Sequence, residues 1–379
     1  MTVRVAVNLL WCVPGEVGGS EEYLARQLQG LTAVDPERRR AAPTLFTLPS
    51  YPAAHPELAT RFPVVTTRTT GAHRPRRVVA EHTWLRRRAR VDPVRIGAFD
   101  LVHHGGGTTP MLGSRPIVLT IHDLQYLEHP HYVSPRKLRY LRSAVPRSVR
   151  RANVVAVPSE FVRGTVIDAF GTDPDRVVVV PHGIDAAPVP VIVDEAGLRE
   201  RWGLGPGPLL VYPAITHPHK NHRLLLETMR DHWIDPDLRL VLLGGRGAAD
   251  DEVERAITEL GLRGRVVRPG RVPDADRDGL LAIADALVFP STYEGFGAPL
   301  IEAMALGTPV ICGDHPTLRE VVGDAGVVVP PDPEAWGAAL GVARRTRREL
   351  TAAGRVRVAR FDLATSAAAL LDAYERTLP

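Results

Sequence analysis

A chain of 379 residues is longer than one hydrophobic core normally organises, so two domains are the expectation. With 44% hydrophobic and 24% charged residues, and no apolar run near the ~20 residues of a membrane span, it matches a soluble globular protein that does not cross a bilayer, and its lone Cys12 and Cys312 exclude a disulfide framework or cysteine zinc site and suit a reducing cytoplasm. The net charge of +4 rests on 47 basic residues of which only Lys137 and Lys220 are lysine, so each lysine stands where composition alone would have supplied arginine.

Short β-branched runs alternate with helical patterns, which predicts parallel sheets covered by helices on both faces. The first strand covers 3–10; it is short, broken by Arg4 and Asn8 and followed by no small-residue cleavage site, so it does not read as a signal peptide. Gly15-Glu16-Val17-Gly18-Gly19-Ser20-Glu21 then leads into a helix over 20–31. Ser20 is the expected N-cap, and the glycines leave the loop open to a ligand, with a purely structural turn as the rival reading. Further strands are predicted at 44–48, 64–67, 101–104, 117–121, 154–157 and 177–180, and a helix at 135–150.

Thr120-Ile121-His122-Asp123-Leu124-Gln125-Tyr126-Leu127 places a His-Asp pair at a strand's carboxyl end. Either both face a ligand, or Asp123 caps the next helix and His122 is a packed imidazole. Arg86, Arg87, Arg88 and Arg90, and then Arg136, Lys137, Arg139, Arg142, Arg147, Arg150 and Arg151, form two basic segments. They would suit anionic headgroups at a membrane surface or an acidic acceptor, although solvated helix faces are the simpler reading. Tyr140 is the one aromatic residue among these charges and no nucleic-acid-binding motif appears, which argues against nucleic acid.

The Pro- and Gly-rich stretch 181–207 reads as the linker, giving an N-terminal domain over 1–187 and a C-terminal domain over 188–358. Strands are predicted at 209–213, 238–243, 265–268, 286–289, 309–312 and 326–329, and 359–378 reads as a final helix that could pack back on the first domain. The fold class is α/β, two doubly wound, Rossmann-like domains facing a central cleft. Ligands of such sheets sit at the strands' carboxyl ends.

Two strings in the second half carry the chemistry. Tyr212-Pro213-Ala214-Ile215-Thr216-His217-Pro218-His219-Lys220-Asn221-His222 offers a compact ammonium suited to phosphate oxygens, or else a solvated lysine at a helix start. Phe289-Pro290-Ser291-Thr292-Tyr293-Glu294-Gly295-Phe296-Gly297-Ala298-Pro299-Leu300-Ile301-Glu302 runs from a strand through two glycines into a helix, with Pro299 in its first turn and Glu302 about one turn inside. Backbone amides at such a start form a diphosphate cradle.

The glutamate string resembles the retaining GT-B glycosyltransferases of family 4, whose mark is two glutamates separated by seven residues, here Glu294 and Glu302. The resemblance is closest to bacterial members with a His-Asp-Leu-Gln-Tyr string, many of them mannosyltransferases of surface polysaccharides. It implies that Glu294 contacts the donor hexose. The amides of Gly295, Phe296, Gly297, Ala298, Pro299 and Leu300 would serve sugar and phosphates, with proline contributing position in place of an N–H. Glu302 would hold the ribose, Lys220 and Thr216 would lie at the diphosphate, and His122 would touch the donor sugar. Gly18 and Gly19 would form a mobile loop near diphosphate and acceptor, and Arg271 and Val272 would grip the base. One departure stands out: relatives commonly carry an arginine about five residues before the lysine, where this chain has Ala214, Ile215 and Thr216; His217, His219 or Arg271 are the candidate substitutes.

The implied reaction needs a nucleoside diphosphate sugar as substrate, no cofactor, no metal and no protein nucleophile, and there is no Asp-x-Asp metal motif of the other major glycosyltransferase fold. GDP-mannose is the first expectation for the donor, with UDP-sugars and polysaccharide, lipid-linked or natural-product acceptors open. The rival readings are a sugar-nucleotide epimerase, a phosphorylase, or a non-catalytic sugar-nucleotide-binding protein.

Overall fold

The computed structural model describes residues 2–34, 40–71, 73–90, 98–113, 116–185 and 193–378. They fall into two units, Met1–Gly183 with Phe361–Pro379, and Ile184–Arg360. The boundary expected between 187 and 188 lies outside the described residues.

The first unit is built on strands β1 (Val3–Asn8), β2 (Ala41–Thr47), β3 (Val64–Thr66), β4 (Leu101–His104), β5 (Ile117–Thr120), β6 (Val154–Val157) and β7 (Val177–Val179). Their order is β3-β2-β1-β4-β5-β6-β7, and every pairing is parallel. A parallel sheet is covered on both faces, which is why β4, β5 and β6 are buried at every position. The helices that matter for the site are α1 (Gly19–Ala33), α2 (Arg74–Ala80) and α3 (Pro135–Arg151). Helix α1 lays Leu24, Leu28 and Leu31 over Val5, Val7 and Leu9. The strand order reverses between β1 and β4, and loops leaving there open the crevice in which ligands of such sheets bind.

The second unit repeats the plan with β8 (Leu209–Pro213), β9 (Arg239–Leu243), β10 (Val266–Gly270), β11 (Ala286–Phe289), β12 (Val310–Gly313) and β13 (Val327–Val329), ordered β10-β9-β8-β11-β12-β13 and again parallel. Its switch point lies between β8 and β11. Helix α4 (His222–Asp231) follows β8, and α5 (Ala298–Ala305) follows β11. The chain then returns to the first unit as α6 (Leu363–Thr377), whose Ala367, Leu370, Ala373 and Tyr374 complete the core under α1. Gly30 of α1 is required there, since a Cβ would sit 2.3 Å from the Leu363 carbonyl oxygen.

Three local expectations are corrected. Ser20 is not the N-cap: Gly18 holds that position with φ 61°, α1 begins at Gly19, and no side chain caps it. The described part of 181–207 is not all linker, because Glu195–Trp202 is a helix, capped by Asp194 accepting from the Gly197 N–H and ended by Gly203 in the left-handed region. The last helix is not continuous from 359; a short turn, Ala359–Phe361, precedes Asp362, which caps α6 by accepting from the Thr365 N–H. No helix among the described residues is long and apolar enough to cross a membrane.

Candidate active site

In the second unit, the loops leaving β8 and β11 flank the switch point and are stitched together. The Thr292 N–H donates to the His219 carbonyl at 2.8 Å, and the Tyr212 hydroxyl donates to the Lys220 carbonyl at 2.8 Å while lying 3.1 Å from Ser291 Oγ. A single turn, Pro218–Lys220, and then Asn221 at φ 51° carry the chain into α4. Asparagine tolerates that left-handed conformation better than most residues. The result sets Lys220 Nζ 2.5 Å from Glu294 Oε1, with the ammonium also 5.5 Å from the Phe289 ring centre.

Burial alone would raise the Glu294 carboxyl, but the Lys220 charge and hydrogen bond, with His219 and Ser291 beside it, hold it below the ordinary carboxylate range. Glu294 is therefore an anion at neutral pH. One Lys220 donor is spent on it, and an ammonium has two more.

Behind Glu294 the chain turns into α5. Gly297 takes φ 97°, and a Cβ there would meet Leu300 Cδ1 and Leu318 Cδ2, each at 3.1 Å. Pro299 occupies the first turn of α5, and the Glu294 carbonyl accepts from Thr317 Oγ1 at 2.9 Å. Residues Gly295 to Leu300 thus form a fixed strand-to-helix turn whose amides and helix dipole favour an anion. Glu302 is half-buried inside α5, within electrostatic reach of Arg277.

The other expected donor contacts are less drawn in. The Thr216 hydroxyl is spent internally, donating to Asp250 Oδ1 at 3.0 Å and accepting from the Gly247 N–H at 2.7 Å, so it braces the loop. Asp250 also pairs with Arg268 and Arg246. Arg271 is exposed just past β10, beside Gly245, and Val272 follows half-buried. Neither reaches the Lys220–Glu294 pair through a direct bond among the described residues. His217 and His219 are stacked with ring centres 5.7 Å apart, and His219 lies near enough to Glu294 to favour its ionised form.

In the first unit, His122 follows β5 and lies in a pocket of about 430 Å³ bordered by Trp11, Ser20, Gly106 and residues of α2 and α3. Its Nε2 is 2.8 Å from the Gly105 carbonyl, an oxygen that only accepts, so Nε2 carries the proton. Burial depresses the imidazole against the opposing pull of the Gly105 carbonyl and Asp123, leaving a neutral ring with Nδ1 as an acceptor. Trp11 and Tyr23 hold its plane, with ring centres 5.8 Å and 5.3 Å away. Asp123 accepts from the Gln125 N–H at 2.9 Å, a local turn bond, but the cap of the helix Gln125–Glu128 is Leu124 and no side chain caps it, so Asp123 is not the helix cap. Gly19 leaves open space where a Cβ would stand.

Comparison with known proteins agrees with this layout. The model described as Glycosyltransferase Family 4 matches residues 17–187, and the one described as Glycosyl transferases group 1 matches 198–343. The D-inositol 3-phosphate glycosyltransferase of Jonesia denitrificans is 30% identical over 314 residues, 74% of this chain and 72% of that protein. The chain belongs to glycosyltransferase family 4. The O-antigen chain mannosyltransferase B of Escherichia coli is 31% identical over 236 residues, 62% of each chain. The chain spans about 60% of the length of the curated relatives it matches first. In fold, Anabaena Alr3699/HepE, crystallised with UDP and glucose, superposes with a TM-score of 0.74 over 98% of both chains at 21% identity, and the architecture of this family 4 chain is GT-B.

The sequence of this family 4 chain does not by itself point to Glu81. This carboxylate is buried in the π-helical turn Glu81–Leu85, borders the His122 pocket, and accepts from Asn8 Nδ2 at 3.2 Å. Burial pushes it up to about 7 despite Asn8, Arg77 and Arg74 nearby. The one available signal was a single acidic residue among the arginines at 74–77 and 86–90.

Proposed function

We propose that the chain is a retaining, metal-independent hexosyltransferase that moves a sugar from a nucleoside diphosphate to a hydroxyl acceptor. The observation that carries this reading is the Lys220–Glu294 pair set beside the start of α5. Breaking the anomeric carbon–oxygen bond leaves positive charge on the sugar and negative charge on the departing diphosphate. Lys220 and the α5 amides supply fixed positive potential for the latter, which needs no reorganisation at the moment of reaction. The ionised Glu294 accepts hydrogen bonds from donor hydroxyls, Glu302 addresses the ribose, and His122 offers Nδ1 to a sugar hydroxyl. In this reading the acceptor proton passes to the leaving phosphate on the face where the bond breaks, so the anomeric configuration is kept without a protein nucleophile.

Mannose is the preferred sugar. Support comes from relatives named as an O-antigen chain mannosyltransferase, an MMP alpha-(1->4)-mannosyltransferase and a GDP-mannose-dependent mannosyltransferase, while the structural neighbour solved with UDP-glucose keeps uridine donors in the test. Thermal shift of the purified chain with GDP-, UDP- and dTDP-sugars, followed by NMR of the hydrolysed or transferred sugar, checks the reading. GDP-mannose should stabilise most and the product should keep its α configuration. Binding without turnover of any donor would reduce the chain to a sugar-nucleotide-binding protein, and an inverted product would remove the retaining assignment.

A further inference from the structure

Three side chains that the proposed chemistry does not use, Glu21, His55 and Glu57, converge behind the loop joining β1 to α1. Glu21 lies in the first turn of α1, where its N–H donates to the Gly18 carbonyl at 2.9 Å and its anion suits the helix dipole. Its two oxygens are committed in different directions. Oε2 accepts from the Gly15 N–H at 2.8 Å, while Oε1 stands 2.8 Å from His55 Nε2. His55 joins two short helices, Tyr51–Ala54 and Pro56–Arg61, and its Nδ1 is 3.4 Å from Glu57 Oε1. A carboxylate therefore stands at each ring nitrogen. A neutral imidazole has one N–H and serves only one of them, whereas the imidazolium serves both.

The surroundings supply no other cation for that role. Tyr51 packs on the ring with centres 4.5 Å apart, and Cys12 lies near Glu21; burial pushes the phenol and the thiol up, so both stay neutral. Glu22, which also acts on Tyr51, is paired with Arg26 at 2.8 Å, and Arg77, which acts on Cys12, donates to the Trp11 carbonyl. Among the described residues His55 is the only basic group within 4.0 Å of Glu21 or Glu57, and the His55 and Glu21 side chains are 12% and 11% exposed. Burial alone would lower the imidazole, but the hydrogen bond and charge of Glu21, and then Glu57, raise it above its ordinary 6.5. The ring is thus charged at and below that ordinary value and loses its charge as pH rises through the raised one.

At the far end of these bonds is a wall of the His122 recess. The loop turns through Gly15 at φ 78° and Gly18 at φ 61°, and Val17 and Ser20 border the recess. We propose that Glu21 and His55 are positioning residues, a pH-sensitive latch that holds the loop over 15–18 in place as that wall. Charged His55 fixes Glu21, and Glu21 fixes Gly15; once the proton leaves, Glu21 loses its counter-charge and the loop loses its support. The inference rests on the transferase reading only where it ties this wall to turnover.

The test is millisecond hydrogen exchange on the full chain, read by mass spectrometry over residues 13–18 and normalised to the unstructured rate at each pH, with circular dichroism as the fold control. At pH 5.5, Glu21→Gln should lower protection about ten-fold or more, because its amide offers one acceptor oxygen where the carboxylate served two donors. Between pH 5.5 and pH 9 protection should fall in the unaltered chain and stay level in His55→Gln, which keeps a donor but does not titrate. Glu57→Gln removes a carboxylate from the same ring and no bond to the loop, so it should keep the low-pH protection and move the fall to lower pH. The kcat/KM for GDP-mannose hydrolysis should decline over the same window, with a smaller decline in His55→Gln. Unchanged protection in Glu21→Gln, or a pH response that survives His55→Gln, overturns the latch, and a kcat/KM profile unaltered by His55→Gln overturns its positioning role. A loop that responds as expected in a chain that hydrolyses no GDP-mannose, UDP-glucose or dTDP-glucose would leave the latch standing and count against the transferase reading instead.

Discussion

Lys220 and Glu294 come from loops 74 residues apart, yet each announces itself locally, and that is why both were legible in the sequence. A lysine in an arginine-rich chain and a glutamate before a Gly-x-Gly turn need no distant partner to be noticed. Their pairing fixes an expected outcome. Lys220→Ala should lower kcat about 100- to 1,000-fold, the range for removing one preorganised donor to a developing charge, with nucleotide affinity falling as well. Glu294→Gln should lower kcat while leaving nucleotide affinity near normal; steady-state kinetics with circular dichroism as a fold control separates the two. Glu81 was not legible, because its environment is assembled from β1 and β4: Asn8 donates to it while also lying 3.1 Å from His104 Nδ1. Its folded value of about 7 exceeds the ordinary 4.5, so the folded state holds the extra proton between those values. The sign follows: stability from this group is fully present below about pH 4.5, falls as pH rises, and reaches a constant penalty of about 3 kcal/mol above 7. Urea unfolding at pH 5 and pH 8 should show Glu81→Gln gaining on the unaltered chain at pH 8 and closely matching it at pH 5.

At the scale of elements, the parallel strands were the most legible feature, since runs such as Val154–Val157 are buried on both faces and read as unbroken apolar stretches. Helix starts were harder. The Ser20 expectation failed because Gly18 supplies a conformation with φ 61° that the alternative cap does not need, and the helix Glu195–Trp202 was hidden by the prolines and glycines around it although Asp194 and Gly203 are ordinary start and stop residues. The start of α5 is where an element directly serves the proposed chemistry. Gly297→Ala forces a Cβ into a left-handed position with Leu300 and Leu318 at 3.1 Å, which should cost about 1–2 kcal/mol of stability. Because the shift falls on the turn that aims the amides, nucleotide diphosphate affinity should weaken more than Tm alone would suggest. Calorimetric Kd and Tm measured on the same preparation check the pair of effects; a lowered Tm with unchanged Kd would mean that the amides do not hold the diphosphate.

For the whole molecule, the decisive fact is that the first unit is finished by residues that follow the entire second unit. His103 of β4 lies 2.9 Å from the Tyr374 hydroxyl, Ser366 Oγ donates to the Pro181 carbonyl, and Leu370 is fully buried with Val5, Leu24 and Leu28. A sequence reading can mark residues 359–378 as helical and offer the first domain as what they pack on, but the means of that packing, Gly30 and the small residues Ala367 and Ala373 that let α6 approach α1 closely, shows only in the fold. The first core therefore closes across a long excursion of the chain, a costly kind of loop closure that completes only after both halves are made. Truncating one of the closing side chains should then act on one unit selectively. Leu370→Ala is expected to cost about 2–5 kcal/mol. Hydrogen exchange read by mass spectrometry should show lost protection in α1, β1, β4 and β6, with β8 to β13 and nucleotide binding unchanged. Equal loss of protection through both units would mean instead that the chain unfolds as a single cooperative body, with the terminal helix securing the second sheet as much as the first.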